Sequence, residues 1–227
     1  MKNKILTFSF DDGVMQDARL IDLFNKYGMK ATFNINSGRF GLCRELVHSA
    51  TGVRFRHDRF EAADIKHVYA GHDLASHSLT HPDLTKMSEA DVIREVEEDR
   101  LRLSDLCGYE VVGFAYPGGD FDARTSAVIK EKTGIKYART IEANHRLEPQ
   151  ENLFEFKPTC HHDEWDFLFK TGEEFLSLKT DEKKIFYVWG HAYEFDIDDS
   201  WAKFEEFLKM MSDKDDIAYL TNKEALL

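Results

Sequence analysis

Four short groups of polar residues hold the side chains of this sequence that could do chemistry. Each group follows directly on a short apolar run; the groups are Asp11-Asp12-Gly13, residues 77–81, residues 117–120 and His191. Carboxylates and imidazoles bind Zn²⁺ and related divalent ions, and both can act as general acids or bases. This set of side chains therefore favours hydrolysis by a water molecule that a divalent metal ion activates.

The first two groups could form one metal site. Asp11 and Asp12 are adjacent and would repel each other unless a cation neutralised one of them and left the other free as a base. His77 and His81 precede Pro82, which disfavours a helix at His81, so a tight turn would direct both imidazoles to one spot. Two imidazoles and one carboxylate leave an open position for water on a zinc ion. The alternatives are a helix cap with a glycine turn for the aspartates and two surface histidines.

The other two groups could supply the remaining catalytic functions. The Pro117-Gly118-Gly119 turn could expose the Gly118 N–H to an oxyanion, although Pro-Gly is foremost a turn signal. His191 follows the most apolar run of the chain, and we expect it to act as a general acid. The acidic and aromatic segment 192–199 fits a loop packing on sugar and an ordinary solvated loop equally well.

A further polar run, Cys-His-His-Asp-Glu-Trp at residues 160–165, is ambiguous. It could form a second metal site, but nothing in the sequence defines its geometry. Its Trp165 could offer a face to a sugar, although a tryptophan at the start of a helix more often packs in the core.

Apolar runs alternate with amphipathic segments along the chain, and this alternation predicts how the polar groups are positioned. Residues 4–10 are predicted as the first strand and residues 14–27 as the first helix, while residues 38–60 are expected to form an irregular insertion. Residues 153–156 are predicted as a later strand. Repeated β-then-α units indicate a parallel sheet covered by helices, closed as a barrel or open. Because active sites form at the carboxyl ends of such strands, the four groups would converge on one rim.

Composition narrows the class of protein. A length of 227 residues fits one large domain, which we place at residues 1–227. A net charge of −12 argues against non-specific binding to nucleic acid or to anionic membranes, and the basic stretch 54–59 is interpreted as a solvated loop. Three cysteines without metal-site spacing predict free thiols in a reducing compartment. With no leader-like or membrane-spanning run visible, we expect a cytoplasmic location.

The motifs and their order match a known family. Ser9-Phe10-Asp11-Asp12-Gly13 followed by His77-Ser78-Leu79-Thr80-His81 resembles the first two motifs of the polysaccharide deacetylases, the NodB-homology group of carbohydrate esterase family four. Phe114-Ala115-Tyr116-Pro117-Gly118-Gly119 resembles the third motif, and Trp189-Gly190-His191 resembles the fifth. The resemblance implies an α/β fold, a distorted (β/α) barrel with about seven parallel strands. It also implies removal of acetyl groups from N- or O-acetylated carbohydrate, with an acetylated sugar or oligosaccharide as the partner.

The resemblance also implies the roles of individual residues. A divalent metal, Zn²⁺ first and Co²⁺, Ni²⁺ or Mn²⁺ as alternatives, would be held by the positions matching Asp12, His77 and His81. Asp11 would be the general base, His191 would protonate the leaving group, and the Gly118 N–H would help to hold the oxyanion. Our candidates for substrate contact are Tyr116, Trp165 and Tyr193.

The chain departs from the family pattern at two motifs. Ala115 stands where the third motif usually carries an arginine that orients the catalytic aspartate, and Arg139, at the end of a later strand, is our candidate to replace it. The fourth motif, an Asp/Trp element, is unclear. Asp163 and Trp165 match it best, and one of them is expected to support His191 or the substrate.

Two other functions stay open at this point. One is hydrolysis of a cyclic amide such as allantoin on the same scaffold, with the metal set altered or replaced. The other is a carbohydrate-binding protein whose catalysis has decayed, which the missing arginine at position 115 favours. A two-metal phosphoesterase ranks lower because too few carboxylates stand at strand ends. The sequence leaves the oligomeric state open.

Overall fold

Strands and helices alternate along the chain in the computed structural model, which describes residues 2–227. The strands are β1 Lys4–Asp12, β2 Ala31–Ile35, β3 Glu45–Val47, β4 Arg54–Arg56, β5 Asp73–Ser76, β6 Gly113–Ala115, β7 Tyr137–Arg139, β8 Cys160–His161, β9 Lys184–His191 and β10 Ile217–Tyr219. The helices are α1 Asp17–Lys26, α2 Ile65–Val68, α3 Glu89–Cys107, α4 Ala123–Lys132, α5 Trp165–Ser177, α6 Glu194–Ile197, α7 Trp201–Met211 and α8 Asn222–Leu226.

The predicted α/β barrel with about seven parallel strands is confirmed. Seven strands follow one another in the spatial order β7-β6-β5-β2-β1-β9-β8, all in parallel pairs, and β10 pairs with the start of β1. Phe156 bridges Arg139 at one edge of the sheet, and the strand that follows it, β8, pairs with β9 at the other edge. This segment brings the two edges together, so the sheet curls.

The centre of the sheet is buried on both faces: helices cover the outer face, and the curl of the sheet encloses the inner face. All nine residues of β1 are buried, as expected for a parallel strand with both faces covered. Phe24 of α1 packs on Phe8 of β1 with ring centroids 4.8 Å apart. Helix α1 begins at Asp17, later than the sequence predicts, because Val14 forms an antiparallel bridge with Arg59 instead of joining the helix.

Two predicted segments differ in the structure. Residues 153–156 do not form a strand: Leu153–Glu155 is a 3₁₀ turn, which starts where the Asn152 side chain accepts a hydrogen bond from the Phe154 N–H. The insertion at residues 38–60 contains an antiparallel hairpin, β3–β4, rather than only irregular chain. Within residues 2–227, no helix combines the length and apolar character that crossing a membrane requires.

Candidate active site

The ends of three central strands place the first catalytic candidates side by side. In the sheet register, Asp11 at the end of β1 lies opposite Asn34 of β2 on one side and His191 of β9 on the other. Partners in register on neighbouring strands project to the same face of a sheet. The alternation of apolar runs and polar strand ends therefore brings a carboxylate, an amide and an imidazole together.

The two oxygens of Asp11 have different surroundings. Oδ1 accepts a hydrogen bond from Asn34 Nδ2 at 2.8 Å and another from Arg139 Nη2, while Oδ2 faces His191 Nε2 at 4.0 Å. Burial would raise the pKa of Asp11, but the positive charge of Arg139, with His77 and His191, outweighs it and lowers the pKa. Asp11 is thus an ionised carboxylate with one oxygen held and the other free to accept a proton.

Arg139 reaches Asp11 from the strand beside the one that carries Ala115. The register of β6 and β7 pairs Ala115 directly with Arg139, and both residues are buried. The guanidinium lies over the Trp189 ring, 4.6 Å from its centroid. The predicted contact of Arg139 with Asp11 is therefore present, and the small side chain of Ala115 leaves room on that face. Asn34 was missed by the sequence reasoning, although an asparagine near the end of a buried strand was a signal.

Asp12, His77 and His81 offer ligand atoms that all lie within 4.8 Å of one another. His77 Nδ1 is 2.8 Å from the Ala115 carbonyl oxygen, which can only accept, so Nδ1 carries the proton and Nε2 is free to bind a metal. Burial lowers the pKa of His77 to about 4, which keeps the ring neutral, as a ligand must be. The chemistry of this donor set fits a divalent ion such as zinc with one coordination position left open.

Helix α3 holds the loop that carries the two histidines. Ser78 and His81 have positive φ angles of 63° and 58°, a conformation that costs energy unless neighbours impose it. The Glu95 carboxylate supplies that support, because it accepts hydrogen bonds from the Thr80 N–H at 2.8 Å and the Thr80 hydroxyl at 2.9 Å. The imidazoles of His77 and His81 then meet edge to face with ring centroids 4.8 Å apart.

Asp12 is contacted by two side chains from the insertion. His57 Nε2 lies 3.1 Å from Asp12 Oδ2, and Arg59 Nη2 lies 3.1 Å from Oδ1. Burial would raise the pKa of Asp12, but the hydrogen bond from His57 and the charge of Arg59 hold it well below its usual range. The interpretation of residues 54–59 as a solvated loop was therefore wrong, since His57 and Arg59 are 3% and 5% exposed. Both turn inward because a buried carboxylate requires partners.

Glu194 is the carboxylate that supports His191. Its Oε1 lies 3.2 Å from His191 Nδ1, and its Oε2 accepts from the His191 N–H at 3.1 Å. Burial would lower the pKa of His191, but Glu194, with Asp11 and Asp12, reverses this and raises it. Asp163, matched to the fourth motif, instead contacts His161 Nδ1 at 2.5 Å. The expectation that Asp163 supports His191 needs correction, because Glu194, the first residue of α6 and three residues after His191, takes that place.

Residues 160–165 bring two more imidazoles close to Glu194. Ligand atoms of His161, His162 and Glu194 lie within 4.8 Å of one another. His161 Nε2 is 3.2 Å from Glu194 Oε2, so this carboxylate already serves His161 and His191 together. His162 is buried against Gly190 and the aromatic core. A metal at this second group is an alternative that the sequence left open, and nothing in the structure tests it.

The candidates for substrate contact differ in position. Tyr193 lies beside His191, with ring centroids 5.0 Å apart, and stacks on Phe55 at the same distance. Trp165 is partly buried at the start of α5, packed against the core. Tyr116 is fully buried and its hydroxyl donates to the Phe154 carbonyl at 2.8 Å, so the expectation that it contacts substrate needs correction. Its ring belongs to the core between the sheet and α4.

Gly118 lies in the 3₁₀ turn that follows β6. The last residue of β6 is Ala115, whose carbonyl accepts the hydrogen bond from His77. Its φ of +63° is a left-handed conformation that suits glycine, and the residue is exposed. Its position after β6 is compatible with the oxyanion role expected of its N–H, which stays a prediction.

The chain is similar in sequence to known deacetylases. A chitin deacetylase of Arthroderma benhamiae is 29% identical over 147 residues, which cover 63% of this chain and 34% of that protein. The matches to four curated relatives span between 16% and 44% of the relatives' own lengths. This chain therefore corresponds to less than half of each of these proteins.

Solved structures share the fold at low sequence identity. The Xyl-CE4 domain of a multidomain xylanase from the hindgut metagenome of Trinervitermes trinervoides overlays with a TM-score of 0.61 at 20% identity, over 98% of this chain and 89% of that one. The Puue allantoinase overlays with a TM-score of 0.72 at 12% identity, over 99% of this chain and 89% of that one. The family model for polysaccharide deacetylase matches residues 1–138, a stretch that includes the two aspartates, both histidines and the turn after β6. Since this match covers more than half of the sequence, the chain belongs to the polysaccharide deacetylase family.

Proposed function

We propose that this protein is a metal-dependent deacetylase that hydrolyses the acetyl group of an N- or O-acetylated sugar or oligosaccharide. The observation that carries the proposal is the arrangement of Asp11, which is held through one oxygen and free at the other, next to a three-donor metal set. The ion would be held by Asp12, His77 and His81, with Zn²⁺ first and Co²⁺, Ni²⁺ or Mn²⁺ as alternatives. Residues 1–227 would form one domain.

Asp11 acts as the general base of the reaction. When bound, the ion supplies a Lewis acid that polarises the acyl oxygen and makes water a stronger nucleophile near neutral pH. Oδ2 of Asp11 accepts the proton of the attacking water, while Arg139 and Asn34 keep the carboxylate in one orientation. The Gly118 N–H donates to the developing oxyanion, and one such donor contributes roughly 3 kcal/mol to transition-state stabilisation.

His191 acts as the general acid. Its Nδ1 faces Glu194 Oε1 at 3.2 Å, and its Nε2 points into the site, 4.0 Å from Asp11 Oδ2. A raised pKa favours the imidazolium form, which can donate the Nε2 proton to the departing nitrogen or oxygen. Acid and base thus lie side by side at the same end of the sheet.

The test is acetate release from N-acetylated and O-acetylated oligosaccharides, measured together with bound metal. We expect His77→Ala to lose metal and activity together, and Asp11→Asn to keep the metal and lose turnover. His67→Ala, on an exposed face of α2, is the matched control and should match the wild type. Full turnover in Asp11→Asn would overturn the assignment of the base.

One observation favours a second candidate, hydrolysis of a cyclic amide without a metal. In a site without a metal, another positive charge would have to neutralise Asp12. The Arg59 guanidinium already supplies such a charge. Ring opening of allantoin by chelator-treated protein, with no acetate release from sugars, would support this candidate. A binding protein whose catalysis has decayed is less well supported than the sequence suggested, because Arg139 contacts Asp11 in the way the missing arginine would.

A further inference from the structure

The insertion between β2 and β5 is built against the end of β1. We name residues 44–59, which include β3 and β4, the hairpin segment. Its end is joined to the turn after β1, since the Met15 N–H donates to the Asp58 carbonyl at 2.8 Å and Val14 bridges Arg59. These bonds place the last residues of the hairpin segment over Asp12.

Two side chains of the hairpin segment, Arg44 and His57, form a directed chain of hydrogen bonds onto Asp12. Arg44 Nη2 and Nε lie 3.3 and 3.4 Å from His57 Nδ1. A guanidinium can only donate, so Nδ1 of His57 accepts and Nε2 carries the proton. That proton is directed at Asp12 Oδ2, 3.1 Å away. The hairpin segment therefore fixes the tautomer of His57 and occupies one oxygen of Asp12.

The other oxygen of Asp12 is the one turned toward the metal set. Oδ1 lies 3.8 Å from His81 Nε2, and Arg59 Nη2 approaches the same oxygen at 3.1 Å. An ion shared by Asp12 and His81 would bind the oxygen that Arg59 already contacts. Since Arg59 is buried, its charge is poorly screened by solvent and would repel the ion.

We propose that His57, held by Arg44, positions Asp12 as a single-oxygen metal ligand, and that Arg59 competes with the metal for that ligand. This inference rests on the proposed function, since it concerns the ion that the deacetylase would use. It assigns opposite effects to two neighbouring side chains: His57 strengthens metal binding and Arg59 weakens it. A purely structural role of the hairpin segment would give both substitutions the same sign.

The test is titration of the metal-free protein, residues 1–227, with Zn²⁺ by calorimetry, and with Co²⁺ by visible absorption. We expect His57→Phe to weaken binding about 10- to 100-fold, the usual effect of losing a hydrogen bond to a metal ligand. We expect Arg59→Met to tighten binding on the order of tenfold, because a like charge beside the ion is removed. His57→Gln, which keeps an N–H donor, should retain most of the affinity and serves if the phenylalanine variant does not fold.

Arg54→Met is the control, because Arg54 pairs with Glu45 on the exposed part of the hairpin segment and should leave the affinity unchanged. Equal weakening in the His57 and Arg59 variants, or wild-type affinity in both, would overturn this inference while leaving the deacetylase proposal intact. A wild-type protein that binds neither ion would overturn both. Weaker metal binding in His57→Phe together with tighter metal binding in Arg59→Met would support the inference.

Discussion

The buried pair of Arg139 and Asp11 gives a prediction whose size follows from the structure. Arg139 is 1% exposed. Among the described residues, two side chains donate hydrogen bonds to the Asp11 carboxylate, those of Arg139 and Asn34. Removing one partner of a buried ion pair costs about 3–5 kcal/mol, because the remaining charge is left without compensation. We expect Arg139→Ala to lower the free energy of unfolding by about this amount at pH 7. Because Asp11 would also lose its orientation as the base, we expect kcat/KM to fall about 10²-fold.

The unfolding free energy lost in Arg139→Ala should depend on pH in a direction that follows from the pKa of Asp11. Arg139 lowers the folded-state pKa of Asp11, so the pair stabilises the protein above the unfolded-state pKa of about 4 and less as the pH falls through the folded-state value. The difference in unfolding free energy between wild type and Arg139→Ala should be largest near pH 7 and should shrink toward pH 3. Urea unfolding followed by circular dichroism at several pH values measures it.

A double substitution separates the role of the guanidinium from general damage. Because Ala115 and Arg139 are register partners, Ala115→Arg combined with Arg139→Ala moves the guanidinium one strand across on the same face. We expect this variant to recover at least about tenfold of the kcat/KM that Arg139→Ala loses. Arg102→Ala, which removes an exposed ion pair on α3, is the control. Unchanged kcat/KM and unfolding free energy in Arg139→Ala would refute the reasoning.

Three further predictions concern other parts of the site and core. Glu194→Gln should lower the pKa of His191, so the alkaline limb of the kcat/KM profile should move to lower pH, with NMR titration of His191 as the direct check. Burial raises the pKa of Asp17 to about 8, so the contribution of Asp17 to the free energy of unfolding should fall as the pH rises from 4 toward 8; the difference between wild type and Asp17→Asn in urea unfolding, measured across that range, isolates this contribution. Gly190→Ala should cost about 1–3 kcal/mol by thermal or urea unfolding, because the added Cβ would lie 1.8 Å from His162 Nδ1.

The parts of the fold and site that the sequence predicts are those with local signals. A buried parallel strand is a short apolar run, and a polar group directly after it lies at the rim of the sheet. This reasoning placed Asp11, Asp12 and His191 at one rim of the sheet, and the register of the structure adds that Asp11 lies opposite His191 on the neighbouring strand. It failed at residues 153–156, where apolar content suggested a strand but the Asn152 side chain starts a 3₁₀ turn.

Contacts between distant segments carry no comparable local signal. The sequence predicts a solvated loop for residues 54–59, yet exposed and buried residues alternate there, so that His57 and Arg59 point inward while Arg56 points outward. Glu194 was overlooked for a different reason. The family pattern directed attention to Asp163, whereas a carboxylate three residues after His191 is within reach of it across a single turn.

The adjacent aspartates show how far physical reasoning from the sequence reaches. Two neighbouring buried carboxylates demand positive charge, and the sequence pointed to a metal as its source. The structure gives each carboxylate its own guanidinium, Arg139 for Asp11 and Arg59 for Asp12, from segments that lie far apart in the chain. Both aspartates are therefore ionised and oriented before any ion binds. A metal ion bound at Asp12 would add charge where compensation already exists, so Arg59 would lower the affinity that the ligands provide.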